Sequence, residues 1–364
     1  MNTLLSHFDK QSKTSLLARA YITVVIIAII DYISGPNLPM FGLYFYPIII
    51  VSWYIGRKKG IYIAVMAALA TLGNNLMFYI SDTTIQPLSL IILWDILQKL
   101  SVFVIFSFTV SALKKSENEK MQFEIKVARR VQSFLLPQTL PSMKTLTYHG
   151  VRRSLNGVSG DFYDFLLIQR HKLLIVIGDI CGKGMSAALL MAHIHGVLRS
   201  TSQLKGNNLS DLMSSVNRSL HTSTEDNKFA TLFLGTYDDN DRTLTYVNAG
   251  HNSPFVFRNK NNSLQIHRLN TEGMLLGFDP DIKFIVKKEQ LYPGDTLLLF
   301  TDGITEARND LKEEYGEERI VDIVSVNEES SPIILCDLIF KEVENYIGTE
   351  PPDDDMTMIV GKVN

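Results

Sequence analysis

The chain changes character about a third of the way along. Up to about residue 113 it is a series of apolar runs, roughly 16–34, 43–56, 60–80 and 91–112, separated by short polar breaks. A helix needs about 20 apolar residues to span a bilayer, with a range of about 17–25. The first, third and fourth runs meet that length, and the second does so if it begins near Met40. From 114 to 136 the sequence reads KKSENEKMQFEIKVARRVQSFLL, with no Gly or Pro before Pro137. Met121, Ile125, Ala128, Val131 and Leu135 recur there at three- and four-residue spacing. That is the stripe of an amphipathic helix continuous with the fourth run. Such a stripe can pack on its own domain or form the seam of a parallel homodimer, with Ile125, Ala128 and Val131 at its centre.

Past Leu140 the pattern becomes that of strands with interspersed helices. KLLIVIG at 172–178 and the run Thr296–Thr301 read as buried strands. Ala230–Tyr237 and Thr243–Val247 flank an Asp-Asp-Asn-Asp turn, which predicts a hairpin. Met185–Leu198 and Ile333–Tyr346 read as helices, and Met356–Val360 as a closing strand. Many antiparallel strands with a few long helices predict an α+β sandwich. Three regions follow: 1–113, an all-α transmembrane domain of about four helices; 114–137, a helical connector; and 138–364, a globular domain.

Charge orients the first region. Lys10, Lys13 and Arg19 precede the first run, Arg57, Lys58 and Lys59 lie between the second and third, and Lys114, Lys115 and Lys120 follow the fourth. The loops Gly35–Gly42 and Ser81–Pro87 carry no Lys or Arg. The basic groups therefore share one side, which predicts a multi-pass membrane protein with both termini in the cytoplasm. A cleavable signal peptide is not expected, because Asp31-Tyr32 stands where small residues would be needed. Asp31, Asn74, Asn75, Asp95 and Lys99 lie within or beside the apolar runs. They read either as pairs at the outer interface or as parts of a signal-sensing site, and Asp95 and Lys99 have the spacing of a helix-face pair. A net charge of −3 excludes the strong basic excess of a nucleic-acid binder. Cys181 and Cys336 give neither a disulfide framework nor a zinc spacing, which fits a reducing compartment.

Four carboxylates stand at strand ends or in small-residue turns. They are Asp161 in VSGDFYD, Asp179 in VIGDICGKG, Asp302 in LFTDG and Asp354 in PDDDMT. One Asp in a turn is ordinary turn chemistry. Four in this setting, without His or Cys beside them, favour hard cations such as Mg²⁺ or Mn²⁺. Two such ions can activate a water for in-line attack on phosphorus.

At these residues the chain resembles the PPM (PP2C-like) phosphatases, in the bacterial branch of SpoIIE/RsbU-type regulators. The likeness covers about 124–363. It runs from Ala128-Arg129-Arg130-Val131-Gln132 and Leu135-Leu136-Pro137 through Ser159-Gly160-Asp161-Phe162-Tyr163-Asp164 and Gly178-Asp179 to Gly182-Lys183-Gly184. It continues through Asn248-Ala249-Gly250-His251-Asn252, Leu276-Gly277 and Pro293-Gly294-Asp295 to Thr301-Asp302-Gly303 and Asp354-Asp355-Met356-Thr357.

The resemblance implies an αββα sandwich with two Mn²⁺ or Mg²⁺ ions in a cleft. Asp179 would bridge the ions, helped by the Ile180 carbonyl, with Asp161 on one side and Asp302 and Asp354 on the other. Asp164, Gly303 and Asp355 would support these ligands without binding metal. The implied reaction is hydrolysis of phosphoserine or phosphothreonine on a partner protein, such as a STAS-domain anti-sigma-factor antagonist. The implied setting is the bacterial cell membrane with the catalytic domain in the cytoplasm. Membrane lipid and a second copy of the chain are further expected partners. The first region looks like the four-helix sensor modules that precede bacterial signalling outputs, on the Tyr46-Pro47 and Gly56-Arg57 neighbourhoods.

Arg152 and Arg153 match no arginine motif and read as solvated strand charges. His251 reads as a structural residue in a strand-end turn, and Cys181 as a small buried residue. Rival readings are weaker. A nucleotide cyclase would need Gly-Gly-Asp-Glu-Phe where Ser-Gly-Asp-Phe-Tyr stands. A P-loop would need Ser or Thr after Lys183, where Gly184 stands. Thiol phosphatase chemistry fails because Ala187 and Glu342 occupy the positions six residues after the cysteines. A non-catalytic scaffold on the same fold would be expected to have lost some of the four carboxylates, and none is lost.

Overall fold

The computed structural model describes residues 11–35, 40–81, 88–155, 157–205, 208–224, 228–260, 263–270, 273–349 and 352–364, without the side chains of 75, 76, 78–81 and 88–92. Lys10, the Asn75 side chain and most of the two basic-free loops lie outside the described residues. The chain forms two compact units, Met1–Phe123 and Glu124–Asn364.

The N-terminal unit is helical: α1 (Lys13–Ser34), a 3₁₀ turn (Phe41–Tyr44), α2 (Phe45–Tyr54), α3 (Arg57–Ser81) and the first part of α4 (Leu88–Leu135). Ser12 caps α1 by accepting the Ser15 N–H at 3.2 Å. Its core joins Val24 and Ile27 of α1 to Ile48 and Val51 of α2, Ala64 and Ala67 of α3, and Phe103 of α4. Small residues bring these helices close. A Cβ on Gly60 would stand 2.2 Å from Ser52 Oγ, and Ser52 is hydrogen-bonded to Ser107 at 2.8 Å. Ile22, Ile26, Ile29 and Ile33 of α1 point outward. Among the described residues, two helical stretches, Lys13–Ser34 and Leu93–Leu135, are long and apolar enough to cross a membrane. The expected Asp95–Lys99 pair forms at 2.8 Å. Asp31 instead accepts the Met40 N–H at 2.8 Å and the Asn74 amide at 3.1 Å.

The C-terminal unit is built on two antiparallel five-stranded sheets. One has the order β1 (Leu146–Arg153), β10 (Met356–Val363), β9 (Thr296–Phe300), β6 (Phe255–Lys260), β7 (Ser263–Arg268). The other has the order β2 (Phe162–Gln169), β3 (Lys172–Ile180), β4 (Ala230–Asp238), β5 (Thr243–Ala249), β8 (Lys287–Gln290). Alternation along each strand gives each sheet two faces. Tyr163, Phe165, Ile175, Ile177, Leu297, Leu299 and Ile359 fill the space between the sheets. On the outer face of the second sheet, Phe162, Leu174 and Val176 pack on α5 (Met185–Lys205) and α6 (Leu209–Ser223). On the outer face of the first, Leu298, Phe300 and Met358 pack with α8 (Glu317–Val326) and α9 (Pro332–Ile347). A short helical turn, α7 (Asp302–Thr305), follows β9. The order of layers is helix, sheet, sheet, helix.

The last turns of α4 separate the two readings of the amphipathic stripe onto different faces. Ile125, Ala128 and Leu135 are half-buried and Gln132 is buried against this unit's own fold. Val131 is exposed, in line with Phe123, Val127 and Phe134. The seam expected from Ile125, Ala128 and Val131 is therefore corrected. Two apolar stripes at helical spacing run side by side, offset by roughly 100° at 3.6 residues per turn, and only Val131 belongs to the open one.

Candidate active site

Each expected carboxylate is delivered by a break in the β-structure. Asp161 ends the turn before β2, Asp179 is the penultimate residue of β3, Asp302 opens α7 directly after β9, and Asp354 lies in the turn before β10. Antiparallel pairing of β2 with β3, and of β9 with β10, brings these ends together from the two sheets. Asp179 is the middle of the group. It meets Asp161 on the buried side and feels the charges of Asp302 and Asp354 on the other.

Electrostatics follow from that crowding. Burial and then the Asp179 charge push the Asp161 carboxyl well above the usual range, although Thr301 Oγ1 donates to its Oδ2 at 2.7 Å. Burial and the Asp302 charge push Asp179 up to about 6. Burial and the Asp354 charge raise Asp302. Such a set calls for cations. The one Lys or Arg ion-paired to these four among the described residues is Lys183, whose Nζ lies 2.8 Å from Asp354 Oδ2 and also donates to the Asp353 carbonyl. Lys183 sits in a loop where both neighbours, Gly182 and Gly184, have positive φ, 98° and 76°.

An all-oxygen donor set in which burial and crowding raise the Asp161, Asp179 and Asp302 carboxyls fits hard divalent cations. Among the described residues no three His, Cys, Asp or Glu side chains converge tightly enough to enclose an ion. The Ile180 carbonyl faces the turn before β2, where a Cβ on Gly160 would stand 2.8 Å from its oxygen and 3.5 Å from Asp179 Oδ1.

The supporting residues behave differently from one another. Asp355 accepts the Leu155 N–H at 2.8 Å and the Gly160 N–H at 3.2 Å, so both its oxygens hold the turn that carries Asp161. Gly303 allows close approach, since a Cβ there would stand 1.9 Å from the Asp355 carbonyl oxygen. Asp164 faces the other way, onto α5. It takes Arg199 Nε at 2.8 Å and His195 Nε2 at 2.9 Å, which holds its carboxyl below the usual range although burial alone would raise it.

Arg152 is not a solvated strand charge. Its Nη1 donates to the Asp161 carbonyl at 3.0 Å and its Nη2 to Gln132 Oε1 at 3.3 Å. The sequence pattern gave no sign of this, because a strand's inward and outward positions are fixed by the register of its partners. Arg153 does reach the surface, paired with Glu344 and lying over Phe340, 4.4 Å from the ring centre. His251 occupies the expected turn: Asn248 Oδ1 accepts its N–H at 2.7 Å, and Thr231 Oγ1 meets its Nδ1 at 2.8 Å. Burial drives its pKa down to about 4. Cys181 is half-exposed rather than buried, and its N–H donates to the Phe229 carbonyl at 3.0 Å. The Cys336 thiol, buried under the first sheet, is pushed up to about 12 by burial.

The family model for stage II sporulation protein E (SpoIIE) matches residues 169–364. The chain belongs to the SpoIIE family. Among curated relatives, protein IcfG of Synechocystis is 31% identical over 264 residues, 65% of this chain and 41% of IcfG. Phosphoserine phosphatase RsbU of Bacillus subtilis is 30% identical over 192 residues, 53% of this chain and 56% of RsbU. This SpoIIE-family chain thus spans about half the length of the relatives it matches. Two solved structures share its fold. The PP2C domain of SiaA from Pseudomonas aeruginosa superposes with a TM-score of 0.60 at 18% identity, covering 68% of this chain and 99% of that one. The PP2C phosphatase domain of SpoIIE from Bacillus subtilis, solved with a fragment of its regulatory domain, gives 0.52 at 22%, covering 60% and 63%. The expectation of a PP2C-like α+β fold is met.

Proposed function

We propose that this chain is a membrane-anchored, metal-dependent phosphatase of phosphoserine or phosphothreonine in a partner protein. The observation that carries the reading is the gathering of Asp161, Asp179, Asp302 and Asp354 around Asp179 between the ends of two sheets. Together with the Ile180 carbonyl they would hold two Mn²⁺ or Mg²⁺ ions. Bound divalent ions of this kind lower the pKa of a water and neutralise phosphate charge. The chain's own part is to fix those carboxylates and to present positive charge at the mouth. There a cleft of about 300 Å³ is lined by Lys183, Glu306, Arg308 and Asp354. Lys183 and Arg308 are the donors available there to phosphate oxygens. Neutral His251 is turned into the fold and bonded to Thr231, so it serves structure and not proton transfer.

The relative RsbU is named a phosphoserine phosphatase. By that likeness the partner is a phosphorylated STAS-domain antagonist of an anti-sigma factor. The helical unit would cross the bacterial cell membrane in about four spans with its basic loops in the cytoplasm. Region 138–364 would be the catalytic domain, 114–137 the connector that relays the membrane signal, and the open stripe of α4 a homodimer seam.

The test uses the full chain in detergent with p-nitrophenyl phosphate and candidate phosphoproteins. Turnover should require Mn²⁺ or Mg²⁺, stop on chelation, and be abolished by Asp179→Asn with the fold intact. Activity that survives full chelation, or an Asp179→Asn variant with most of the wild-type turnover at saturating Mn²⁺, overturns the reading. An alkaline phosphatase fused to the C-terminus should be inactive; activity in the periplasm would reverse the assigned topology.

A further inference from the structure

The turn Ser159-Gly160-Asp161 carries the most buried carboxylate of the cluster, yet it belongs to no strand. Buried backbone groups outside a ladder need partners from elsewhere. Asp355 supplies one for the Gly160 N–H. Ser159 Oγ accepts the Asp161 N–H at 3.1 Å, and both backbone groups of Ser159 are met by a single side chain outside the sheets. Gln132, on the last turns of α4, is only 4% exposed. Its Nε2 donates to the Ser159 carbonyl at 2.7 Å and its Oε1 accepts the Ser159 N–H at 3.0 Å. The side-chain amide therefore stands in for a neighbouring strand and satisfies both backbone groups of one residue. The same Oε1 takes Arg152 Nη2 at 3.3 Å, and Arg152 Nη1 reaches the Asp161 carbonyl at 3.0 Å.

Gln132 occupies an inward position between Ala128 and Leu135, where an aliphatic side chain would complete the helix stripe. Burying an amide there is costly unless each of its groups is bonded, as they are here. The polar choice thus serves the turn and not the packing of the helix.

We propose that Gln132 is a positioning residue for Asp161. Its amide fixes the 159–161 turn so that the Asp161 carboxylate faces Asp179, and Arg152 extends the hold one residue further. Gln132 belongs to α4, so the turn follows the register of that helix. A slip of one residue is about 100° of rotation and 1.5 Å of rise. Hydrogen bonds of this length do not survive such a shift. The helix would then act on the site through one side chain. The inference rests on reading Asp161 as a metal-binding carboxylate.

The test uses the full chain in detergent, wild type against Gln132→Ala and Gln132→Glu, with three readings. Amide hydrogen exchange across 155–163 is followed in chelator, Mn²⁺ uptake by calorimetry, and p-nitrophenyl phosphate turnover as a function of Mn²⁺. Gln132→Ala should speed exchange in the turn. It should raise the Mn²⁺ needed for half-saturation by on the order of tenfold or more, the scale for residues that orient ligands. Its turnover should approach wild type at saturating Mn²⁺. Gln132→Glu keeps the acceptor and loses the donor, and should fall between. A merely structural role would lower turnover at every Mn²⁺ concentration without shifting the requirement. Unchanged exchange and unchanged Mn²⁺ demand in the variants overturn the proposal. If Gln132→Ala does not fold, Gln132→Glu decides on the same readings. If wild type takes up no Mn²⁺ while exchange still responds to Gln132, the hold on the turn stands and the metal reading falls.

Discussion

A Cβ on Gly160 would stand 2.8 Å from the Ile180 carbonyl oxygen and 3.5 Å from Asp179 Oδ1. The turn before β2 and the end of β3 therefore lie back to back, with no side chain between the segment of Asp161 and that of Asp179. The need here is for close approach, not for an unusual backbone angle. Gly160→Ala should force the two segments apart. Overpacking of this kind costs about 1–3 kcal/mol, and the Mn²⁺ requirement should rise with it. Denaturant unfolding and Mn²⁺ titration of turnover check both. A variant with the wild-type Mn²⁺ requirement would mean that the spacing is not what the site depends on.

On the proposed reading Lys183 would compete with cations for Asp354. Its ammonium lies 2.8 Å from Asp354 Oδ2, and that bond raises the lysine's own pKa. It is half exposed, so the pair itself adds little stability. Removing it should have opposite effects on two measurements. Lys183→Met should bind Mn²⁺ more tightly, because a positive competitor is gone. It should also show a higher KM for a phosphoprotein, because a donor at the cleft mouth is gone. Calorimetry and steady-state kinetics separate the two, and loss of Mn²⁺ affinity in Lys183→Met would refute the competition.

Much of this arrangement was legible beforehand. KLLIVIG and LLLF announce β3 and β9 because strands buried on both faces read as continuous apolar runs. The four carboxylates stood out because each closes or precedes such a run. What escaped was set by tertiary partners. Strands β6, β7 and β8 carry many polar residues and form at sheet edges or beside them, where pairing and not composition defines them. Helix α6 carries a readable helical period in Leu209, Leu212, Met213, Val216 and Leu220. Arg152, Gln132 and Thr301 reach the site across 9, 27 and 140 residues of sequence. No local pattern encodes contacts of that range.

His251 gives the fold a pH dependence with a definite sign. Burial lowers its pKa from 6.5 to about 4. The unfolded chain then binds the proton more readily than the folded one. The contribution is whole above about pH 6.5 and is lost as the pH falls toward 4, by up to about 3 kcal/mol. Denaturant midpoints of the C-terminal unit should therefore fall more steeply on acidification in wild type than in His251→Gln. Parallel pH profiles would show that this histidine is not held neutral by the fold.

The open stripe of α4 offers the last prediction. Phe123, Val127, Val131 and Phe134 are 68%, 48%, 60% and 65% exposed, while Gln132, one residue from Val131, is fixed on Ser159. One helix therefore carries an apolar face that is open among the described residues and a face that grips the Asp161 turn. If two copies meet along the first face, their packing sets the rotation of the second, and a two-state helix could bias the site. Val131→Glu with Phe134→Glu should then weaken self-association of the full chain in sedimentation, and change activity without touching a ligand. Alanines inserted after Glu119 rotate everything beyond by about 100° each. Activity in membranes should vary with the number inserted and return near seven, when the faces realign. A flat response, with every insertion as active as wild type, would reduce the connector to a tether. Full activity in a monomeric Val131→Glu, Phe134→Glu variant would confine control to the helix of a single chain.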